Sequence, residues 1–354
     1  MTKKLNNFVY KRIRGINNFI ILYIVSVRIL EEIEQPSART NETKAGPRNG
    51  ITIKKIEQNL KDLKERDSTK EVEEEGEVIE GLDFNFEDKD EDDGKSKMLR
   101  VREGSDGVVI KRCRFRNKAN KDPALVIGNS KNVVVEDCIF ENMEGGNERE
   151  AIRIAEDGRE SGLSLKCTVR RCIFRNNKGD PEIISIKSAE NIVEDCFFIN
   201  NDGNVTVRHG GLAVIRHNYF EGKNGVRIHG YGNRVEYNCF KDNSAEDEGQ
   251  ERKRTPISLW WGGDDKDSDK DKDPYWNWVD RTKKISKPSG NKGDETIDRY
   301  AQTVDTVIRG NEFKNCKNTI VEVKGEGPKE PLRTMNEDNR KLKEDEKFGF
   351  ETEE

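Results

Sequence analysis

One frame recurs along the chain and limits what it can fold into. Each copy is a short β-branched run, then a small residue, then phenylalanine two positions later; the copies read EVIEGLDF, VVIKRCRF, VVVEDCIF, CTVRRCIF, NIVEDCFF, AVIRHNYF, RVEYNCF and TVIRGNEF. The small position is occupied by Leu82, Cys113, Cys138, Cys172, Cys196, Asn218, Asn238 and Asn311. A period mostly in the twenties that is built from short strands predicts the coils of a parallel β-helix.

Equivalent positions of such coils stack about 4.8 Å apart, the spacing of paired strands. The frame therefore predicts an internal aromatic ladder made of Phe84, Phe115, Phe140, Phe174, Phe198, Phe220, Phe240 and Phe313. The cysteine and asparagine positions form a second column beside it, where each asparagine amide can bond the next. Cysteines in a packing column are expected to be buried free thiols, and the CxxC clusters typical of metal ligation are absent.

The composition agrees with a long, narrow core. Only 32% of the residues are hydrophobic and 38% are charged, which fits either a partly disordered chain or a repeat protein. We predict an N-terminal segment at 1–45, a β-helix at 46–330 with a charged loop insert at 262–299, and a polar tail at 331–354. Since the net charge is only −5, composition gives no support to a nucleic-acid partner.

The N-terminal segment has two interpretations. Several basic residues precede the apolar run FIILYIVSV, which resembles the start of a signal peptide; these are Lys3, Lys4, Lys11, Arg12 and Arg14. Nine apolar residues are too few for a membrane span, which needs roughly 20. We expect a secreted protein without a stable span, and a chance apolar segment is the alternative.

Each coil also carries a second strand whose alternation directs polar residues outward. The outward pairs in successive coils are Arg153/Ala155, Ser185/Lys187, Thr206/Arg208, Arg227/His229 and Ser258/Trp260. They predict a cationic stripe on an exposed sheet, suited to a linear anionic polysaccharide. Nucleic-acid binders usually interleave aromatic residues with their cations. The alternative is an ordinary polar solenoid surface.

Oxygen-bearing side chains precede two of these strands. Asn147, Asp180 and Glu182 lie on the turns that enter neighbouring outward strands. Carboxylate and amide oxygens are the ligands that calcium prefers, so a Ca²⁺ site is one interpretation. The other is that Asp180 and Glu182 are turn residues that pair with nearby arginines.

The segments NEREAIRI, GDPEIISIKS, NVTVRHGG and GVRIHG resemble the central signature of polysaccharide lyase family six, the alginate lyase and chondroitinase B group. The resemblance covers roughly 49–325 and implies an all-β, single-stranded right-handed parallel β-helix, the pectin-lyase-like solenoid. It also implies cleavage of a uronic-acid polymer by β-elimination, either of alginate or of a dermatan- or chondroitin-like chain.

Carried over residue by residue, the resemblance makes Lys187 the general base and Arg208 the general acid. Asn147, Asp180 and Glu182 match its calcium ligands, with aspartate at 180 where glutamate is usual in chondroitinase B. His209 matches the histidine beside the acid, and Arg227 matches an arginine that holds a substrate carboxylate. The remaining residues expected to bind substrate are Arg153, His229 and Trp260. The chain departs from the family in its N-terminus, its acidic insert and its fewer coils.

Other functions stay open at this point. A catalytically idle β-helix that binds acidic glycans would keep the same cationic stripe. A hydrolase would need two carboxylates flanking the bond, whereas the outward columns offer cations. Trp260 could form a subsite wall through stacking on a sugar ring, or could cover the helix where the insert leaves it. We expect a monomer, and the sequence does not identify the sugar.

Overall fold

The computed structural model describes residues 44–48, 50–86, 97–119, 122–144, 148–156, 163–178, 181–246, 254–262, 302–324 and 330–350. Within these ranges the chain is a right-handed parallel β-helix, as predicted, in which each coil contributes one strand to each of three sheets. The expectations for residues 1–43 and for 263–300, which hold nearly the whole predicted insert, fall outside the described residues. No helix in the described ranges has the length and apolarity needed to cross a membrane.

Three sheets, A, B and C, run the length of the solenoid in its described part, and we number the strands in chain order. Sheet A consists of β1 (Lys64–Arg66), β4 (Leu82–Asn85), β7 (Arg114–Arg116), β10 (Ile139–Glu141), β13 (Ile173–Arg175), β16 (Phe197–Ile199), β19 (Tyr219–Glu221), β22 (Cys239–Lys241), β25 (Glu312–Lys314) and β28 (Arg340–Leu342). Sheet B consists of β2 (Lys70–Val72), β5 (Leu99–Val101), β8 (Leu125–Ile127), β11 (Ile152–Ile154), β14 (Glu182–Ile186), β17 (Asn204–Val207), β20 (Val226–Ile228), β23 (Ile257–Trp260) and β26 (Ile320–Val323). Sheet C consists of β3 (Val78–Glu80), β6 (Val109–Lys111), β9 (Val134–Glu136), β12 (Thr168–Arg170), β15 (Ile192–Glu194), β18 (Val214–Arg216), β21 (Arg234–Glu236), β24 (Val307–Arg309) and β27 (Met335–Glu337).

The solenoid continues beyond residue 330, where we had placed its end. Strands β27 and β28 lie in the segment predicted as a polar tail, and they pair in parallel with β24 and β25. Among the described residues these two strands pair on one side only, and they bury few apolar side chains; Met335 remains 47% exposed. This explains why polar composition alone concealed the two strands.

The predicted phenylalanine ladder is confirmed and forms the centre of the core. Consecutive rings from Phe84 to Phe313 stack with centroids 4.5–5.2 Å apart and interplanar angles of 1–9°. These rings are almost completely buried. Because the ring spacing equals the strand spacing, each coil adds the same packing unit to the one before it.

The cysteine and asparagine column beside the ladder is also confirmed. The amide Nδ2 of Asn218 donates to Oδ1 of Asn238 at 3.0 Å, and Asn238 donates in the same way to Asn311. Where cysteine occupies the column, its sulfur is the hydrogen-bond acceptor. The backbone N–H of Cys113, for example, donates to Sγ of Cys138 at 3.4 Å. All seven cysteines are free thiols, as predicted.

The outer face of sheet C carries a ladder of alternating charge that we did not predict. The third residues of its strands are, in order, Glu80, Lys111, Glu136, Arg170, Glu194, Arg216, Glu236, Arg309 and Glu337. Ion pairs link neighbours along it, at 2.7 Å for Arg170 with Glu136 and 2.8 Å for Arg216 with Glu194. Opposite charges in facing positions favour this register over a slipped one.

The outer face of sheet A is apolar in its middle coils and is covered. Helix α1 (Ile53–Gln58) begins after Thr52, whose hydroxyl accepts from the backbone N–H of Lys55. Its buried Ile56 packs on the apolar stripe formed by Ile139, Ile173, Phe197, Tyr219 and Cys239. Phe348 and Phe350 pack there as well. The outer face of sheet A is thus covered in its middle coils, and the predicted functional side chains lie on or next to the strands of sheet B.

Candidate active site

The register of sheet B brings the predicted cationic residues side by side. Arg153, Ser185, Thr206, Arg227 and Ser258 pair in succession across five neighbouring strands. Lys187, Arg208 and His229 follow the paired residues Ile186, Val207 and Ile228 on three of those strands. The strand alignment predicted from the sequence is thus confirmed.

Two arginines converge on one carboxylate. Nη1 of Arg208 lies 3.8 Å from Oε1 of Glu182, and Nη1 of Arg227 lies 3.9 Å from the same oxygen. These distances exceed hydrogen-bonding range, so the attraction is Coulombic. Glu182 is only 2% exposed, and its other oxygen, Oε2, has no hydrogen-bond partner among the described residues.

Lys187 follows β14 next to Arg208 on the neighbouring strand and is partly buried. Burial lowers the pKa of its ammonium group below that of an ordinary lysine, and the charges of Arg153 and Arg208 lower it further. Glu150 and Glu182 oppose the shift without cancelling it. Lys187 therefore loses its proton more readily than an ordinary lysine, and the neutral amine is the form that can accept a proton.

Arg153 forms a bidentate ion pair with one buried carboxylate. Its Nε and Nη2 donate to the two carboxylate oxygens of Glu150 at 3.1 and 2.9 Å, and Glu150 is 1% exposed. We had assigned no role to Glu150. The available signal was its place three residues before Arg153, at the entry to β11. Since Arg153 is bound in this way, it is less suited than Arg227 to hold a substrate carboxylate.

The face is less exposed than predicted, and Trp260 is the clearest correction. Its ring is 1% exposed, so it does not offer a stacking surface to a sugar; it packs on Val321 and Val323 of the next coil. His229 is 0% exposed and Arg227 is 6% exposed. The covering interpretation of Trp260 is the one that its burial supports.

Buried hydroxyl groups lie between the two arginines of the column. Ser185 Oγ and Thr206 Oγ1 are buried, and neither has a hydrogen-bond partner within the part of the chain that the structure describes. A buried polar atom left unpaired costs about 1–3 kcal/mol, so such atoms mark places where water or a ligand is bound. With Glu182 Oε2, they give this face three oxygen acceptors that lack a protein partner in the described ranges.

Two glycines of the motifs, Gly210 and Gly230, lie where the backbones of neighbouring coils come close together. A Cβ on Gly210 would overlap the carbonyl oxygen of Ser188, and a Cβ on Gly230 would overlap the carbonyl oxygen of Gly210. The coils therefore approach too closely here for a side chain. Glycine after Arg208–His209 and after His229 allows the strands that carry these residues to stack tightly. His209 itself is 7% exposed.

Only one of the three predicted calcium ligands, Glu182, lies among the described residues. Asn147 and Asp180 lie outside the described residues, and the described ones contain no group of three or more His, Cys, Asp or Glu side chains placed to hold a metal. Glu182 is described, and its buried Oε2 is a hard oxygen donor without a protein partner there. This single ligand fits a cation site, and Ca²⁺ stays a prediction.

Comparison with protein-family models decides the family. The model described as Chondroitinase B matches residues 48–262, more than half of the 354-residue chain. The chain belongs to the chondroitinase B family. Its predicted resemblance to polysaccharide lyase family six is thereby confirmed, and by family it is a polysaccharide lyase of that type. The match includes every predicted site residue.

Solved structures similar to this chondroitinase B family chain are distant from it. One is a mannuronic acid specific polysaccharide family 6 lyase from human gut microbiota, with 19% identity, a TM-score of 0.45, and coverage of 78% of this chain and 68% of that chain. Another is a PL6 family polysaccharide lyase from Pseudopedobacter saltans, with 14% identity, a TM-score of 0.44, and coverage of 80% and 75%. The comparison with curated proteins gave no match.

Proposed function

We propose that this protein cleaves a uronic-acid polymer, alginate or a dermatan- or chondroitin-like chain, by β-elimination on the outer face of sheet B. The observation that carries the proposal is the partly buried Lys187, whose pKa is lowered, beside Arg208. A lysine in this state is a base, and a fixed guanidinium next to it can stabilise the negative charge that develops during elimination.

In the proposed reaction, neutral Lys187 removes the proton at C5 of the uronic acid. The electron pair of the broken C5–H bond forms the double bond between C4 and C5. The C4–O4 bond then breaks, and its electron pair leaves with O4, which gains a proton. The products are a new hydroxyl end and an unsaturated sugar, and no oxidant or co-reactant is consumed.

The two arginines near Glu182 have different proposed roles. Arg208 lies one coil from Lys187 and stabilises the negative charge on the departing O4. Because the pKa of arginine is very high, Arg208 is a poor direct donor, and the proton that O4 gains arrives by a relay. Arg227 holds the carboxylate attached to C5 and thereby fixes the position of the C5 proton. Both guanidinium groups already lie near an anionic oxygen, that of Glu182.

A calcium ion fits this proposal at Glu182, together with Asn147 and Asp180. Such an ion would supply positive charge that neutralises the substrate carboxylate and acidifies the C5 proton. The support from the described residues is the unpartnered, buried Oε2 of Glu182. Without an ion, Arg208 and Arg227 are the groups that offset the charge of Glu182.

The test is the ultraviolet absorbance of unsaturated product on a panel of alginate, dermatan sulfate, chondroitin sulfate and pectate. Wild type and Lys187→Ala are compared, with Lys166→Ala as the matched control because the Lys166 side chain is 60% exposed and paired only with Glu190 in the described structure. We expect one polymer class to be cleaved, a loss of 10²–10⁴-fold in Lys187→Ala, and full activity in the control.

Two outcomes contradict the proposal. Binding of an anionic polymer without any unsaturated product would favour the idle glycan-binding β-helix. Product formation by Lys187→Ala within about tenfold of wild type would remove Lys187 as the base, since general bases contribute more than that.

A further inference from the structure

Arg227 is held by two side chains that are more deeply buried than it is. It occupies the middle of the sheet B column, paired with Thr206 on one side and Ser258 on the other. Its side chain is only 7% exposed. An arginine on a flexible stem loses rotamer freedom when it binds a carboxylate, so contacts that fix it beforehand strengthen that binding.

The first contact comes from His229, two residues further along the same strand edge. Nε of Arg227 donates to Nε2 of His229 at 3.1 Å. A nitrogen that accepts this bond carries no proton, so the imidazole is neutral. Complete burial and the nearby charges of Arg227, His209 and Arg208 lower the pKa of His229 well below its usual value, which keeps it in that state at neutral pH.

The second contact comes from Trp260 on the following strand. The Cζ atom of Arg227 lies 3.9 Å from the centroid of the Trp260 ring, a close cation–π distance. The indole is itself fixed, because its Nε1 donates to Ser258 Oγ at 3.1 Å and it packs on Val321 and Val323. It therefore covers one face of the guanidinium as a rigid plane.

These two contacts define the direction of Arg227. With Nε bonded to His229 and one face stacked on Trp260, the guanidinium places Nη1 3.9 Å from Oε1 of Glu182. This is the edge of the site where, in the proposed function, the substrate carboxylate binds. His229 and Trp260 are only 0% and 1% exposed, so neither presents a surface to a bound polymer.

We propose that His229 and Trp260 are positioning residues that orient Arg227 toward the carboxylate of a uronic-acid substrate. They act through Arg227 and do not touch the sugar. The inference rests on the proposed function for the identity of the carboxylate, but the orientation of Arg227 is a separate claim. A merely structural role, in which the two side chains fill space, makes a different prediction for double variants.

The test is a pair of double-mutant cycles with kcat and KM measured separately. His229→Leu removes the acceptor and Trp260→Leu removes the aromatic plane; we expect each to raise KM about tenfold with a smaller change in kcat. His229→Gln retains an acceptor oxygen and Trp260→Phe retains a ring face, and we expect each to recover most of that loss. In an Arg227→Ala background, the same substitutions should have almost no further effect on KM.

A matched control separates orientation from packing. His217 is likewise buried, stacks on Tyr237 with ring centroids 5.3 Å apart, and lies away from sheet B at the end of a sheet C strand. His217→Leu should lower the melting temperature and leave KM unchanged. If His229→Leu and Trp260→Leu behave like His217→Leu, or if they raise KM equally with and without Arg227, the inference is overturned.

The same cycles are repeated on urea unfolding, which requires no substrate. Coupling between Arg227 and each of its two partners supports the orientation, and additivity of the single effects contradicts it. If no polymer on the panel is cleaved, the proposed function fails and the unfolding cycles alone decide the orientation. If a polymer is cleaved and the cycles are additive, the proposed function stands and this inference fails.

Discussion

The outer faces of sheets B and C are built from strands with the same alternation, but their cations and carboxylates are placed differently in the register. On sheet C every cation of the ladder faces a carboxylate on the next coil, as Arg170 does between Glu136 and Glu194. On sheet B, Lys187 and Arg208 follow each other on adjacent strands with no acid between them in the register. The carboxylate of Glu182, the first residue of β14, lies 3.8–3.9 Å from Arg208 and Arg227.

The two faces differ in how their charged side chains are grouped. A compensated ladder favours one register and can be extended coil after coil. Like charges grouped in a poorly solvated place lower stability, so the fold alone gives no reason for them. The unpartnered oxygens of Glu182, Ser185 and Thr206 lie on the same face of the described solenoid. The grouped cations and Glu182 are the groups that the proposed function uses, whereas the charges of sheet C pair with one another along the described strands.

The largest effect that tests this contrast is expected from Arg208. Arg208→Ala should lower kcat by roughly 10²–10³-fold, the effect of removing one stabiliser of developing charge. Arg170→Ala, the same substitution on sheet C, should leave kcat unchanged. Initial rates on the accepted polymer measure both variants, and equal losses would remove the distinction between the two faces.

A smaller loss is expected from the buried carboxylate. Glu182→Gln keeps the size of the side chain but removes its charge, and should lower kcat/KM by about 10–100-fold, the range known for changes in the surroundings of a metal. Chelation of wild type should give a similar loss, and Glu182→Gln should no longer respond to chelator. A fully active, metal-free wild type would leave Glu182 as a partner of Arg208 and Arg227 alone.

The pH dependence tests the state of Lys187. Only the neutral amine is a base, so kcat/KM should rise about tenfold per pH unit until the pKa of Lys187 is reached. Burial and the charges of Arg153 and Arg208 lower that pKa, so the plateau should begin at a lower pH than the ordinary lysine value of about 10.4. Replacing Arg153 by Met should move the plateau to higher pH. A limb that continues to rise past the ordinary value would contradict the lowered pKa.

The smallest expected effect is one of stability on sheet C. Glu194→Lys would place three cations in a row with Arg170 and Arg216 and would remove a partner of Arg48. The free energy of unfolding should fall by roughly 1–3 kcal/mol, with kcat/KM unchanged. Urea unfolding measures the loss, and Glu194→Gln should show a smaller one. An unchanged midpoint would mean that the ladder contributes nothing to stability.

Features that repeat in every coil were predictable from the sequence. The phenylalanine ladder and the asparagine column follow from one recurring frame, and the sheet B register follows from the alternation of the second strand in each coil. The sheet C ladder was missed although its residues are in the same frame. Its charges alternate from one copy to the next, which becomes visible only when the same position is compared across successive copies. Strands β27 and β28 were missed because they contain few apolar residues.

Side-chain burial was less predictable than register. Alternation correctly directed Trp260 away from the core, but it does not tell whether an outward ring is covered by neighbouring coils. Glu150 was missed for a related reason, since it lies before strand β11, three residues from its partner Arg153 and outside the repeating frame. The resemblance to family six predicted a set of site residues, and only the structure gave the contacts between those that it describes.

The most direct test gives sheet B the charge pattern of sheet C. Thr206 pairs with Ser185 on one side and with Arg227 on the other. Thr206→Asp therefore inserts a carboxylate into the column that lies next to Lys187 and Arg208. Thr206→Asn is the uncharged variant of matching size. Measured as kcat/KM on the accepted polymer, Thr206→Asp should be at least about tenfold less active than Thr206→Asn, and the gap should narrow as salt is raised. Equal activity of the two variants would contradict the claim that the grouped cations of sheet B bind and cleave the anionic polymer.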